Sequence, residues 1–543
     1  MGIYINKGNL AFKKVLNSNY VDKSDFIAVV NSTIDTESQY ICATRCRRFG
    51  KSMMAKMLCA YYDKSCDSRE LFKGLAIEKD PSFETHLNRY NVLYLDVTDF
   101  TTQSDYKGRL VKSMQEEIIE EVKRTFPNVS YKENSDLMGC LQSIYTQTGE
   151  RFYFIIDEWD AICREFPERR KFKGSPESVE PTEMDEYVKF LRRLFKGGLS
   201  SEVFVGAYIT GILPMIKHNT ESALNNFREY SMVNPRKAPG SFGFTSDEVR
   251  SLCEKYDMDY DEMAAWYDGY QIGKEPSVFN PHSVMNAIEA NEYCSYWAST
   301  GAYDKVAQYI SLNYDGLKDD IVKMLAGERC RVNTTKFKND MSKVDSRDDV
   351  LTVMIHLGYL AYDGCTGTCY VPNKEVRDEL INAVEDTDWT NIIKYLTNSE
   401  DLLNATLACD ADKVAKFIDA AHNENTSILS YNDENSLSCV LSIAYIYAKN
   451  DYIVHRELAS GKGFADLVFF PRKFSDKPAM IVELKYDKGA DTAIEQIHRK
   501  EYQGKVLEYT DNLLLVGINY DKKTKKHTCV IEKYADKFEV LND

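Results

Sequence analysis

The sequence predicts an α/β protein: a parallel-sheet domain, a mainly helical module and a second, smaller α/β domain. Three observations predict it. Short apolar runs recur at 40–43, 92–95, 152–156 and 203–209. Uninterrupted apolar runs of this length suit strands buried on both faces of a parallel sheet, and the gaps between them hold crossover helices. Helical periodicity then takes over across 245–400, and apolar strands return after an Asn- and Ser-rich stretch at 423–435. The expected domains are therefore 1–244, 245–422 and 423–543.

Composition narrows the function. The 543 residues include 84 acidic and 68 basic side chains, a formal net charge of −16. This balance excludes a uniformly basic nucleic-acid coat and confines any such contact to local patches. No run of about 18 apolar residues is present, so no membrane partner is expected. The opening Met1-Gly2-Ile3-Tyr4-Ile5-Asn6 lacks a signal core and the Ser or Thr of a myristoylation site, and the expected location is cytoplasmic. Of the 14 cysteines, only Cys42/Cys46 and Cys365/Cys369 come close together, and neither pair has a second at zinc-ribbon spacing.

Taken in order, the first run leads into Gly50-Lys51-Ser52, which opens a helix whose Met53, Met54, Met57, Leu58, Tyr61 and Tyr62 follow a helical period. A phosphate loop needs this order: loop and helix N–H groups cradle phosphates, a Lys reaches the terminal phosphates and a hydroxyl binds Mg²⁺. Gly-Lys occurs four times and is followed by Ser or Thr only here, but Arg45 stands where the general pattern has its first Gly. The third run ends in Asp157-Glu158, where Asp157 would hold Mg²⁺ and Glu158 would polarise the attacking water. A polar insertion at 172–183 reads as a surface loop. The fourth run ends at Thr210, placed to sense a terminal phosphate.

Helices are expected at 247–253 and 319–325, with a hairpin near 360–371. Beyond 435 the pattern predicts a helix at 436–448, two strands, a helix at 490–509 and a terminal hairpin, 513–518 with 529–533. In this domain Asp466 lies on one strand, and Glu483 and Lys485 lie on the next with side chains on one face. The short connection makes the strands antiparallel neighbours. Asp466 and Glu483 would bind Mg²⁺ and Lys485 would orient a water for attack on a phosphodiester.

The segment Arg45-Cys46-Arg47-Arg48-Phe49-Gly50-Lys51-Ser52 resembles the arginine-rich phosphate loop of AAA-ATPase-like proteins that carry a C-terminal PD-(D/E)XK nuclease-type domain. Further matches are Tyr20-Val21-Asp22-Lys23-Ser24, Asp157-Glu158-Trp159-Asp160, Thr210-Gly211-Ile212, Gly243-Phe244-Thr245, Trp266-Tyr267-Asp268-Gly269-Tyr270 and Pro372-Asn373-Lys374-Glu375-Val376. Arg45 is usual in that family, whereas Cys46 replaces its Pro and Trp159 its Tyr. The resemblance implies an AAA-like P-loop NTPase domain and a C-terminal restriction-endonuclease-like domain, ATP and Mg as cofactors, and Arg45, Arg48, Phe49, Gly50, Lys51 and Ser52 at the nucleotide. It also implies that Gln496, followed by Tyr502, supports the nuclease centre. Glu434 and Glu457 are candidates for a further acid.

The function so implied is an ATPase coupled to a Mg-dependent nuclease acting on DNA or RNA. The alternatives are an ATP-dependent switch whose nuclease-like domain only binds, and a nuclease with a degenerate ATPase-like domain. Homo-oligomerisation would let Arg228 or Arg236 act across a subunit boundary. Nucleic-acid attraction would rest on the arginine-rich loop, the 164–173 patch and the basic run Lys522-Lys523-Thr524-Lys525-Lys526.

Overall fold

A computed structural model describes residues 2–102, 109–165, 183–215, 224–236, 239–297, 314–325, 327–337, 344–385, 399, 401–425, 441, 444–445, 448, 452–460, 463–471, 477–507, 510 and 512–534. Residues 172–182 of the polar insertion, 166–173 of the basic patch, 426–435 of the expected linker (whose first residues end a helix), Glu434 and most of the 436–448 segment lie outside the described residues, as does the side chain of Glu457. By contacts the chain forms two compact units, Met1–Ala302 with Arg331–Arg377 and Tyr303–Cys330 with Asp378–Asp543.

The first unit is built on a five-stranded parallel sheet of β1 (Tyr40–Thr44), β2 (Asn91–Asp96), β3 (Phe152–Asp157), β4 (Phe204–Gly211) and the short β5 (Arg228–Tyr230), in the order β2-β3-β4-β1-β5. Alternate residues enter different cores. Cys42, Leu93, Leu95, Phe154, Ile156, Ala207 and Ile209 pack on one face beneath α4 (Leu110–Thr125), α5 (Leu137–Thr148) and α7 (Glu183–Phe195). Ile41, Ala43, Val92, Tyr94, Tyr153, Ile155, Val205 and Tyr208 pack on the other beneath α1 (Leu10–Leu16), α2 (Asp25–Asn31) and α3 (Lys51–Tyr62). Burial on both faces is why these strands read as unbroken apolar runs. A short helix, α6 (Ala161–Glu165), follows β3.

The segment expected to be helical begins with α8 (Ser246–Tyr256), whose start carries a capping box between Thr245 and Glu248. It continues through α9 (Tyr260–Tyr267), α10 (Pro281–Ala290), α11 (Arg347–Leu357) and α12 (Lys374–Glu385), with a separate helix at Leu317–Leu325. It also contains a small sheet that the periodicity does not reveal. This is β6 (Phe244–Thr245), β7 (Tyr270–Ile272) and β8 (Glu275–Phe279), in the order β6-β8-β7. A second small sheet joins β9 (Cys330–Arg331) to the expected hairpin, β10 (Ala361–Asp363) and β11 (Thr368–Tyr370).

The second unit holds a mixed sheet, β12 (Tyr452–Ser460), β13 (Gly463–Pro471), β14 (Ala479–Tyr486), β15 (Leu513–Asp521) and β16 (Lys526–Lys533), in chain order. Helix α13 (Ala411–Asn425) packs on β16. Strands β14 and β15 are parallel, joined through α14 (Ala490–Lys500) and α15 (Gln503–Leu507), as a parallel pair requires a crossover. Two expectations change here. The helix expected over 490–509 breaks at Glu501, which adopts a left-handed φ of 59°. The two strands expected before that helix are three, because β12 is an edge strand whose mixed polar residues, His455 and Arg456 among them, hide its period.

Candidate functional site

The loop from Arg45 to Gly50 runs from β1 into α3. Its shape needs two left-handed residues, Arg48 at φ 67° and Gly50 at φ 84°. This brings Lys51 and Ser52 to the first turn of α3. Lys51 is buried, and its Nζ donates to the Arg45 and Cys46 carbonyls at 2.9 Å each. The Ser52 hydroxyl lies close to Asp157 at the end of β3 and helps hold its carboxyl down. Strand β4 lies between β1 and β3 and carries Thr210 one residue before its end; its buried hydroxyl has no partner among the described residues.

Asp157 also accepts from the Tyr94 hydroxyl at 3.2 Å. Burial pushes its carboxyl up to about 6, reinforced by Asp96 and Glu158 and opposed by Ser52 and Lys51. Glu158, at φ 53°, turns back onto Arg164 of α6, which also reaches Asp160 at 3.4 Å. Asp160 is fully buried and holds the Ile212 and Leu213 amides at 3.2 and 2.9 Å, locking the end of β4. Trp159 docks alongside it, its indole nitrogen donating to the Leu213 carbonyl at 3.1 Å.

Beside the loop opens a cavity of about 410 Å³, lined by Arg48, Phe49, Gly50, Lys51, Ser52 and Glu158 among others. Its apolar wall is Val15, Tyr20, Val21, Met53, Met57, Phe244 and Met285. These come from α1, the Tyr20–Ser24 motif, α3, β6 and α10, so no local spacing in the sequence announced them. A nucleotide base would find flat apolar surface there next to cations for its phosphates.

Not every loop arginine faces this space. Arg45 is fully buried, with its guanidinium donating to the Thr44 and Tyr230 carbonyls at 2.9 and 2.6 Å and lying 5.2 Å from the Phe242 ring. Burial lowers its pKa to about 10. Arg48 donates to the Tyr296 carbonyl at 2.7 Å, and the Tyr296 amide donates to Glu375 at 2.7 Å. Glu375 is fully buried and also accepts from Ser283 at 2.8 Å. Phe49 packs edge-to-face on Tyr270, with ring centroids 5.3 Å apart. The Trp266–Tyr270 and Pro372–Val376 motifs, far from the loop in sequence, thus buttress it. Arg228 donates to Ser38, and Arg236 to the Glu229 carbonyl at 2.8 Å.

In the second unit, Asp466 of β13 and Glu483 of β14 come together through the antiparallel register that pairs Leu467 with Val482. Asp466 accepts from the Leu484 amide at 2.8 Å. Glu483 accepts from Lys485 Nζ at 2.9 Å and from the Gln496 amide on α14, and Gln496 lies 3.4 Å from the Tyr502 hydroxyl. Glu483 and Lys485 are buried, and Glu483 Oε2 has no partner among the described residues. Burial, with Asp466 adding to it, pushes the Glu483 carboxyl up to about 7 against the pull of Lys485. An acidic pair with an unsatisfied inward oxygen and a neighbouring ammonium has the donor set of a divalent-cation site. Gly517 of β15 stands opposite Glu483, where a Cβ would lie 2.5 Å from the Ala490 carbonyl. The missing side chain lets α14 lie close enough to deliver Gln496.

Fold and sites define two classes: a P-loop NTPase-type sheet in the first unit and a PD-(D/E)XK-type sheet in the second. Two family models agree. Residues 8–220 match the AAA-ATPase-like family, described as predicted AAA-ATPase, and residues 433–529 match the PD-(D/E)XK nuclease superfamily. An uncharacterized protein from the vnfD 5′ region of Azotobacter chroococcum is 25% identical over 287 residues, 52% of this chain and 50% of that protein. The chain thus spans about half the length of this curated relative. Among solved structures, a Walker-type ATPase of Pyrococcus abyssi shares 11% identity at a TM-score of 0.32, covering 66% of this chain and 94% of its own. The Aeropyrum pernix ORC1 protein, solved in complex with DNA, shares 11% at a TM-score of 0.25, covering 71% and 98%. No helix among the described residues is long and apolar enough to cross a membrane.

Proposed function

We propose that the protein is an ATPase coupled to a Mg-dependent nuclease that cuts DNA or RNA phosphodiester bonds. The observation that carries the reading is the convergence of Asp466, Glu483, Lys485 and Gln496 in a unit chained to one in which Lys51 and Ser52 face Asp157 beside a nucleotide-sized cavity. In the first unit the loop amides and Lys51 bind the phosphates, and the hydrophobic wall takes the base. Glu158 accepts the proton of the attacking water at its carboxylate once it leaves Arg164. Ser52 and Asp157 would hold Mg²⁺ there, and Asp466 and Glu483 in the second unit. When bound, the metal would supply charge neutralisation at the phosphate oxygens. Lys485 Nζ orients the water that attacks the phosphodiester, and Gln496 keeps Glu483 in place.

The test uses the full chain with Mg²⁺, ATP and single- or double-stranded DNA or RNA, as wild type, Lys51→Ala and Lys485→Ala. Cleavage should vanish in Lys485→Ala and ATP turnover in Lys51→Ala. Absence of cleavage by wild type on every substrate removes the nuclease half. Calorimetry showing no heat with ATP or ADP removes the ATPase half.

A further inference from the structure

Three of the arginines at or near the phosphate loop are already engaged. Arg45 is buried on two carbonyls, Arg48 holds Tyr296 and Arg164 holds Glu158. In a chain of net charge −16, attraction for a polyanion has to come from local clusters of free cations.

The end of the strand that carries Glu483 and Lys485 supplies it. Lys488 follows Lys485 by three residues, and the turn between β15 and β16 adds Lys522, Lys523, Lys525 and Lys526, all five exposed. Among the described residues none of these five ammonium groups forms an ion pair. The two aspartates within the cluster are occupied by backbone. Asp487 accepts from the Lys522 amide at 2.7 Å, and Asp521 from the Lys523 and Thr524 amides at 2.8 and 2.9 Å. The Asn519 side chain accepts from the Lys488 amide at 3.0 Å.

The turn is also anchored from below. Buried His527 donates Nδ1–H to Asp419 of α13 at 2.7 Å, its amide donates to the same carboxylate at 2.8 Å, and its ring lies 4.9 Å from Tyr520. The base of this solvated basic turn is therefore pinned to α13. Its position is set by register, because Lys485 pairs with Asn519. At a rise of about 3.3 Å per residue, Asp521 and its partner Lys526 lie about 7 Å beyond Lys485 along the strand, and the turn lysines follow them. One strand of a duplex places a phosphate every 3.4 Å or so of axis, so the turn begins about two phosphates from Lys485.

We propose that Lys488 and the turn lysines 522, 523, 525 and 526 form a backbone clamp that docks nucleic acid, without reading bases, beside the Asp466–Glu483–Lys485 centre. The inference rests on the nuclease reading for its partner. It is tested by the anisotropy of a fluorescent 30-mer duplex with the full chain in EDTA, between about 50 and 200 mM salt. The variants are Lys522→Gln/Lys523→Gln/Lys525→Gln/Lys526→Gln and, should that chain not fold, Lys488→Gln/Lys523→Gln. The fourfold variant should bind about tenfold or more weakly, with the slope of log affinity against log salt reduced by about two to three, while ATP turnover stays at the wild-type value.

Wild-type affinity and slope in a folded variant overturn the clamp, as does wild-type protein that shows no salt-dependent binding. If wild type cuts no nucleic acid but loses binding with the tip, the nuclease reading falls and the clamp stands. If wild type cuts and the variant binds and cuts equally well, the clamp alone falls.

Discussion

Gly517→Ala tests whether the second unit's centre depends on how closely α14 lies on the sheet. The new Cβ would stand 2.5 Å from the Ala490 carbonyl, 3.0 Å from Ile494 Cγ1 and 3.1 Å from Ala493 Cβ. Ordinary contact starts near 3.4 Å, and a backbone carbonyl cannot swing aside, so the helix must lift by about 1 Å. Overpacking of this kind costs about 1–3 kcal/mol. Gln496 rides on the lifted helix away from Glu483, and a displacement of about 1 Å at a reacting centre can cost roughly a hundredfold in rate. Urea unfolding followed by far-UV circular dichroism reads the first effect, and single-turnover cleavage reads the second. Gly198→Ala is the control, since its Cβ meets nothing within 4 Å, and it should stay within about 0.5 kcal/mol of wild type. A Gly517→Ala protein with wild-type urea midpoint and cleavage rate would refute the reasoning. The unfolding arm decides the packing claim even if no cleavage is found.

Three other perturbations follow from the same geometry. Glu375→Ala leaves the Tyr296 amide and the Ser283 hydroxyl without their acceptor, a loss of about 2–5 kcal/mol in urea unfolding that Glu375→Gln should largely restore, and ATP affinity by calorimetry should fall with it as Arg48 loses its anchor. Lys51→Ala removes the ammonium from the Arg45 and Cys46 carbonyls and should weaken ATP binding more than tenfold; an unchanged dissociation constant would separate the loop from phosphate binding. His527 has its pKa lowered by burial, against the pull of Asp419. The unfolded state therefore binds more protons between the depressed folded value and the ordinary 6.5. His527 contributes stability above pH 6.5 that is lost as pH falls through its folded pKa, so His527→Gln should flatten the pH dependence of urea unfolding below 6.5.

Much of the site was legible because its chemistry is local. Lys51 and Ser52 follow one strand, Asp157 and Glu158 end another, and Glu483 and Lys485 share a face by strand alternation alone. What lay beyond reach was contributed by residues distant in sequence with ordinary types. The apolar wall of the cavity draws one or two residues from each of five segments, and Glu375 reaches Arg48 through the Tyr296 peptide. The arginine-rich loop shows the same limit. Four cations in seven residues read as one phosphate-facing cluster, yet Arg45 goes inward to Tyr230 and Phe242 while Lys51 stays on the loop.

Residue order alone carried the apolar runs, the glycine-capped loop, the acidic strand ends and the Glu-x-Lys strand, because strand burial, helix starts and side-chain alternation act over a few residues. Tertiary structure decided the rest. Strand order placed Thr210 between the loop and Asp157, and the register set Asp466 beside Glu483. Close approach at Gly517 brought Gln496 to its carboxylate, and hydrogen bonds to Asp487 and Asp521 fixed the basic turn beside Lys485. These are contacts between segments far apart along the chain, where the deciding quantity is the packing of one surface on another.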